Sequence, residues 1–150
     1  MRYKLICCEV FKREIELALQ NSEHTVIPVF TEKLSHEVPG QLREIIQQEI
    51  DRTSPLEFDY ILLGFGLCGN AITGLQSRRV PLVIPRAHDC CTILLGSREA
   101  FSRHFGHRPS CRWTSGGYMG TGENYLRNSD VHQFLGVDLT WAELVEKYGE

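Results

Sequence analysis

A chain of 150 residues, 42% hydrophobic and 23% charged, has the make-up of a single globular domain with a buried core. A formal charge of -3 with no basic block argues against nucleic acid as a partner. The apolar run in MRYKLICCEV is too short for a signal-peptide core or a bilayer span, so a cytoplasmic protein away from membranes is expected.

In chain order, YKLICC (3–8) reads as a buried strand. Phe11, Ile15, Ala18 and Leu19 follow at helical spacing, and that segment stops near Asn21 and Ser22. TVIPVF (25–30) is a second strand, placed at a sheet edge by Pro28, which has no N–H to donate. Val38, Leu42, Ile45, Ile46 and Ile50 form the apolar stripe of a helix over roughly 38–52. FDYILLGF (58–65) and VPLVIP (80–85) are the third and fourth strands, separated by a segment, 70–78, with room for about two helical turns. CTILLGSREAFSRHFG then reads as helical, with Ser97 a potential N-cap inside it and Gly106 its stop.

Apolar strands alternating with helices indicate a three-layer α/β fold. We expect a mainly parallel sheet of about four strands, flavodoxin- or Rossmann-like with order 2-1-3-4, and helices on both faces. Residues 1–150 read as one domain. Within it, 107–130 is a Gly-, Ser- and aromatic-rich loop or lid, and 140–150 is a terminal helix. That helix opens with a Thr140–Glu143 capping box and a Leu139–Leu144 staple.

Six cysteines are many for this length, and two pairs are adjacent, Cys7-Cys8 and Cys90-Cys91. Ligands in doubly wound sheets sit at the carboxyl ends of strands. The first strand ends in Cys7-Cys8, the third runs into Gly66-Leu67-Cys68-Gly69, and the fourth into Arg86-Ala87-His88-Asp89-Cys90-Cys91. Strands lie about 4.8 Å apart, so three cysteines would fall within roughly 10 Å along one edge. Successive strand residues face opposite sides, which leaves one member of each pair for a site and the other for the core. Cys111 reads as incidental.

Three thiolates are a soft donor set, suited to zinc or a 4Fe–4S cluster and leaving one coordination position open. Without metal, Cys68 would be a nucleophile at the start of the short helix, His88 its base and Asp89 the group orienting the imidazole. Asp89 has a second reading as N-cap of a helix beginning at Cys90, and His88 as its exposed neighbour. Arg86 is a candidate substrate anchor, and Gly66, Gly69 and Asn70 are loop residues that would face a substrate.

GFGLCGN also satisfies the dinucleotide pattern G-x-G-x-x-G at Gly64, Gly66 and Gly69, with Asp89 20 residues beyond Gly69. The helix that would follow is short for a nucleotide crossover, and Asp89 stands inside a His-Asp-Cys cluster rather than alone.

The stretches GFGLCGN, VPLVIPRAHDC and LLGSREAF, with the opening KLICCEVFKREIE, resemble a family found in bacteria and archaea, domain of unknown function number 1638. The resemblance covers about residues 3–105 well and the remainder loosely. It assigns the site cysteines as Cys8, Cys68 and Cys90, with Cys7 and Cys91 as extra neighbours. Family members usually run longer than this chain, and its 107–130 segment departs from their aromatic-rich one. The family brings no reaction with it.

The expectation is thus a metal- or iron–sulfur-binding protein with His88 and Asp89 beside Cys8, Cys68 and Cys90, acting on a small molecule by non-redox, sulfur- or methyl-transfer chemistry. A non-catalytic binding module, with a partner protein or a second copy, and a nucleotide-binding domain are the alternatives.

Overall fold

The protein's computed structural model describes residues 1–32, 38–107, 113, 115–117 and 146, the Cys68 side chain excepted. Contacts divide the chain into Met1–Trp113 and Thr114–Glu150, and the elements below belong to the first unit. The expected loop at 107–130 and helix at 140–150, with Cys111, Thr140 and Glu143, lie outside the described residues but for isolated positions.

Four strands form one sheet, β1 (Arg2–Cys8), β2 (Thr25–Thr31), β3 (Tyr60–Gly64) and β4 (Leu82–Val83), in the order β2-β1-β3-β4. Every pairing is parallel, the expected topology. β2 is an edge strand and carries Pro28 opposite Leu5, where the missing N–H costs no ladder bond. β4 is shorter than VPLVIP suggested. Pro81 and Pro85 bracket it, and neither can donate to β3, although Pro81 still accepts from the Ile61 N–H at 2.9 Å.

Between strands run a 3-10 turn (Glu9–Phe11), α1 (Lys12–Leu19) and α2 (Pro39–Asp51). After β4 the expected continuous helix is two, α3 (Cys90–Leu94) and α4 (Arg98–Phe105). Gly96 breaks them apart with φ +82°, and Ser97 caps α4 by accepting from the Ala100 N–H. Gly106 ends α4 as expected. Residues 70–78, with room for two helical turns, instead turn without forming an α-helix.

α2 fixes one face of the sheet. Leu42, Ile46 and Ile50, at i, i+4 and i+8, are buried against Ile6, Ile61, Leu63 and Phe65. Each is worth about 1.5–3 kcal/mol in area removed from water. β1 presents Lys4, Ile6 and Cys8 to this face by strand alternation. Lys4 is a cation in that core at 8% exposure, and its ammonium is satisfied by α2. It donates to the Glu49 carbonyl at 3.0 Å and to the Glu49 carboxylate at 2.8 Å.

That bond, first among its causes, holds the Glu49 carboxyl below its ordinary range against an opposing cost of burial; Arg52 adds to it. A carboxyl depressed in the fold stabilises it above the unfolded pKa and stops doing so as pH falls through the folded value. Glu49→Gln should therefore cost about 2 kcal/mol at pH 7, on the scale of a hydrogen bond to a charged group. Urea titrations of both proteins should show that difference shrinking on acidification toward pH 3. A gap of the same size at both pH values would contradict the assignment.

Candidate functional site

At the end of β1 the two adjacent thiols part company. Cys8 lies on the α2 side, half-buried and packed at the rim of the apolar cluster. Cys7 lies on the opposite side at 0% exposure, and burial, with a smaller effect of Cys8, pushes its pKa up to about 12. Its register partner on β3 is Gly64. A Cβ at Gly64 would sit 2.5 Å from the Cys7 Cβ, so the glycine is the space that Cys7 occupies. Cys7 is core, with almost no thiolate at neutral pH.

Beyond Gly64 the chain passes through Phe65, which is buried, to Gly66. Here β3 and the segment after β4 meet backbone to backbone. A Cβ at Gly66 would lie 2.5–2.7 Å from three backbone atoms of Asp89, closer than any side chain tolerates. The Leu67 N–H donates to the Ala87 carbonyl at 3.1 Å and closes the same junction. One turn of 3-10 helix (Cys68–Asn70) follows, with Gly69 at φ 71° and Asn70 at φ 56°. Two consecutive left-handed residues call for glycine and asparagine, the residue types found there. Each glycine of GFGLCGN thus has a steric reason within the protein, and no α-helix follows Gly69 to receive a pyrophosphate.

This turn is held from α2. Its apolar stripe has a polar neighbour one residue on: Arg43, Gln47 and Asp51. Arg43 donates to the Asn70 carbonyl at 2.9 Å and to the Ala71 carbonyl at 3.4 Å. Gln47 both donates to the Gln76 carbonyl and accepts from its N–H, at 3.1 and 2.9 Å. Asp51 accepts from Arg78 at 3.2 Å. One stripe packs on the sheet while the next secures residues 70–78, and with them the backbone carrying Cys68.

In the 86–91 segment Asp89 is the N-cap of α3. Its Oδ1 accepts from the Thr92 N–H at 2.7 Å and the Thr92 hydroxyl at 2.8 Å, while Oδ2 lies 3.3 Å from His88 Nδ1. Burial opposes its ionisation, but the Thr92 bonds and His88 outweigh it, and the carboxyl stays below its ordinary range. Asp89 is therefore a charged cap that also touches the imidazole. The His88 side chain is 80% exposed. Arg86 is exposed as well and makes no hydrogen bond or ion pair among the described residues. Cys91 is buried at 3% exposure, its pKa raised by burial and then by the Asp89 charge, whereas Cys90 is half-buried.

The structure therefore brings the Gly66–Asn70 turn against His88, Asp89 and the start of α3, beside the end of β1. Among the described residues no three His, Cys, Asp or Glu side chains converge on a metal position, and the Cys68 side chain is not among those described. Sequence reasoning missed the Arg43, Gln47 and Asp51 stripe, although its i, i+4, i+8 spacing was there to read. It also missed Thr31, the register partner of Cys8 on β2. A separate cleft of about 510 Å3 lies at the amino ends of the strands, lined among others by Met1, Phe58, Asp59, Tyr60 and Arg79. Its carboxylate is already engaged by the Arg2 N–H at 2.7 Å. Among the described residues no helix is long and apolar enough to cross a membrane.

The division within each pair has a direct readout. In native, metal-stripped protein, iodoacetamide should label Cys8 and Cys90 faster than Cys7 and Cys91 by about two orders of magnitude, because only accessible thiolate reacts. Mass mapping of the alkylated peptides measures this, and equal labelling of Cys7 and Cys8 would refute it.

The family described as "Protein of unknown function (DUF1638)" matches residues 30–149. This span takes in Cys68 and Cys90, begins after β1 and Cys8, and reaches further toward the C-terminus than the resemblance seen in the motifs alone. No curated protein and no solved structure matches the chain. With 30–149 of 150 residues matched, and with GFGLCGN and RAHDC inside that span, the chain belongs to the DUF1638 family.

Proposed function

We propose that the carboxyl edge of the sheet is a soft-metal centre in which the thiolates of Cys8, Cys68 and Cys90 hold zinc or a 4Fe–4S cluster. The observation that carries this reading is the split within the cysteine pairs. Cys7 and Cys91 are sealed in the core, while Cys8 and Cys90 stay half-buried at the edge where ligands of such folds sit. The contact of Gly66 with the Asp89 backbone supports it further, since it puts the Cys68 turn beside the residues that lead into Cys90.

Three thiolates suit zinc, copper(I) or iron–sulfur far better than magnesium or calcium. When bound, such a centre supplies Lewis acidity at its remaining coordination position. Around it the chain's own residues have separate tasks. His88, exposed and oriented through Nδ1 by Asp89, gives or takes a proton at its other ring nitrogen. Asp89 keeps its charge and fixes α3. Arg86 anchors a carboxylate or similar anion, and the backbone of Gly66, Gly69 and Asn70 borders the ligand. The substrate class is a small sulfur-containing or carboxylated molecule, and the step a non-redox, sulfur- or methyl-transfer reaction. Thiols kept for metal need a reducing compartment, which fits the cytoplasm.

A second reading, a metal- or ligand-carrying module without turnover, draws on a different observation. Leu67, Val83 and Ile84 are 53%, 48% and 42% exposed on the β3–β4 side. Exposed apolar residues next to a site suit docking to a partner protein or a second copy. The nucleotide-binding alternative has less support, because the turn at Gly69 lacks the α-helix whose N-terminus would face a pyrophosphate.

Protein made and purified without oxygen should carry about one zinc or about four irons per chain, with brown colour in the second case. Cys68→Ser should lower that content by more than half in elemental analysis. Unchanged metal per chain in Cys68→Ser, or wild-type protein with no metal, would contradict the proposal.

A further inference from the structure

Thr31 is the last residue of β2 and the register partner of Cys8 on β1. In a parallel pair, register partners project to the same face, so Thr31 stands beside Cys8 on the α2 side, one strand spacing away. It is 6% exposed, and its hydroxyl oxygen is buried without a hydrogen-bond partner among the described residues. A hydroxyl in that position loses its water and, among the described residues, regains nothing. Valine would fill the same volume, is at least as good a strand former, and would carry no such cost. The hydroxyl therefore stands where stability of the metal-free fold argues against it.

Its chemistry says what would satisfy it. A hydroxyl donates one hydrogen bond, and a thiolate sulfur accepts such a bond far better than a neutral thiol does. Groups just outside a metal's ligands commonly orient those ligands by hydrogen bonds of this kind. β2 contributes no cysteine, so Thr31 would bring a fourth strand into the site.

We infer that Thr31 is a positioning residue of the metal centre: its hydroxyl donates a hydrogen bond to the Cys8 thiolate once metal is bound. The inference rests on the soft-metal reading above, and it adds a residue that neither the motifs nor the family-like cysteines include.

The test compares wild type, Thr31→Val and Thr31→Ser, prepared metal-free without oxygen, melted, and titrated with cobalt(II). Thr31→Val should melt above wild type in the metal-free state, because an unpartnered hydroxyl has gone. It should nevertheless bind cobalt(II) about tenfold more weakly, with the thiolate-to-cobalt absorption band shifted. Thr31→Ser, which keeps the donor, should retain the wild-type band and most of its affinity. The opposite signs for stability and affinity are what a merely structural threonine would not produce. If Thr31→Val binds as wild type does with an unshifted band, or Thr31→Ser loses as much affinity as Thr31→Val, the inference fails and the metal centre stands. A metal-free Thr31→Val that melts below wild type would show that the hydroxyl has a structural partner, and would also overturn it. Wild-type protein without any thiolate-to-cobalt absorption overturns the metal reading and this inference together.

Discussion

The approach of Gly66 to the backbone of Asp89 is the constraint on which the rest of the carboxyl edge depends. Any side chain at Gly66 would overlap three backbone atoms of Asp89. Only because glycine stands there can the turn after β3 lie flat against the segment after β4. The Leu67–Ala87 hydrogen bond then closes the junction. The Cys68 turn and the His88-Asp89-Cys90 segment are neighbours as a result, and neither could move without opening the other. The left-handed pair Gly69 and Asn70 completes the turn, and Arg43 holds its carbonyls from α2.

α2 thereby serves twice. Leu42, Ile46 and Ile50 seal one face of the sheet, and the adjacent row of Arg43, Gln47 and Asp51 grips residues 70–78. Near its C-terminal end, Glu49 satisfies the buried Lys4 of β1. One helix thus ties β1, which ends in Cys8, to the turn that carries Cys68. The geometry of this edge is inherited from core packing and does not rest on loops alone, which is the precise placement a bound group would need.

Strand order and most element positions were legible, because continuous apolar runs separated by amphipathic segments have few arrangements other than a parallel sheet. Where the reading departed from the structure, local backbone chemistry prevailed. Pro81 and Pro85 shortened β4, and Gly96 split one helix into two. The 70–78 segment makes local turn hydrogen bonds and is gripped by α2 side chains without forming an α-helix of its own. The one-from-each-pair rule for cysteines followed from the two-residue period of a strand, and the burial of Cys7 agrees with it for Cys7-Cys8; Cys90 and Cys91 open α3 instead, where that period does not apply. The G-x-G-x-x-G letters were ambiguous for a physical reason: glycine is selected equally by an approaching phosphate and by an approaching backbone, and only coordinates tell them apart. Arg43 and Gln47 escaped notice because a polar stripe on a helix looks like a solvated face until its partners are known. Thr31 escaped because threonine is ordinary in strands, and the lack of a hydrogen-bond partner for it among the described residues is a property of the fold.

The central claim is that Cys8, Cys68 and Cys90 act on one bound metal group. Its most direct test is mass-mapped alkylation of each cysteine in protein purified without oxygen, before and after a chelator strips its metal. The account predicts that bound metal protects Cys8, Cys68 and Cys90 together, that stripping exposes all three, and that Cys111 reacts alike in both states. Protection of fewer than these three, or labelling unaffected by the chelator, would contradict it.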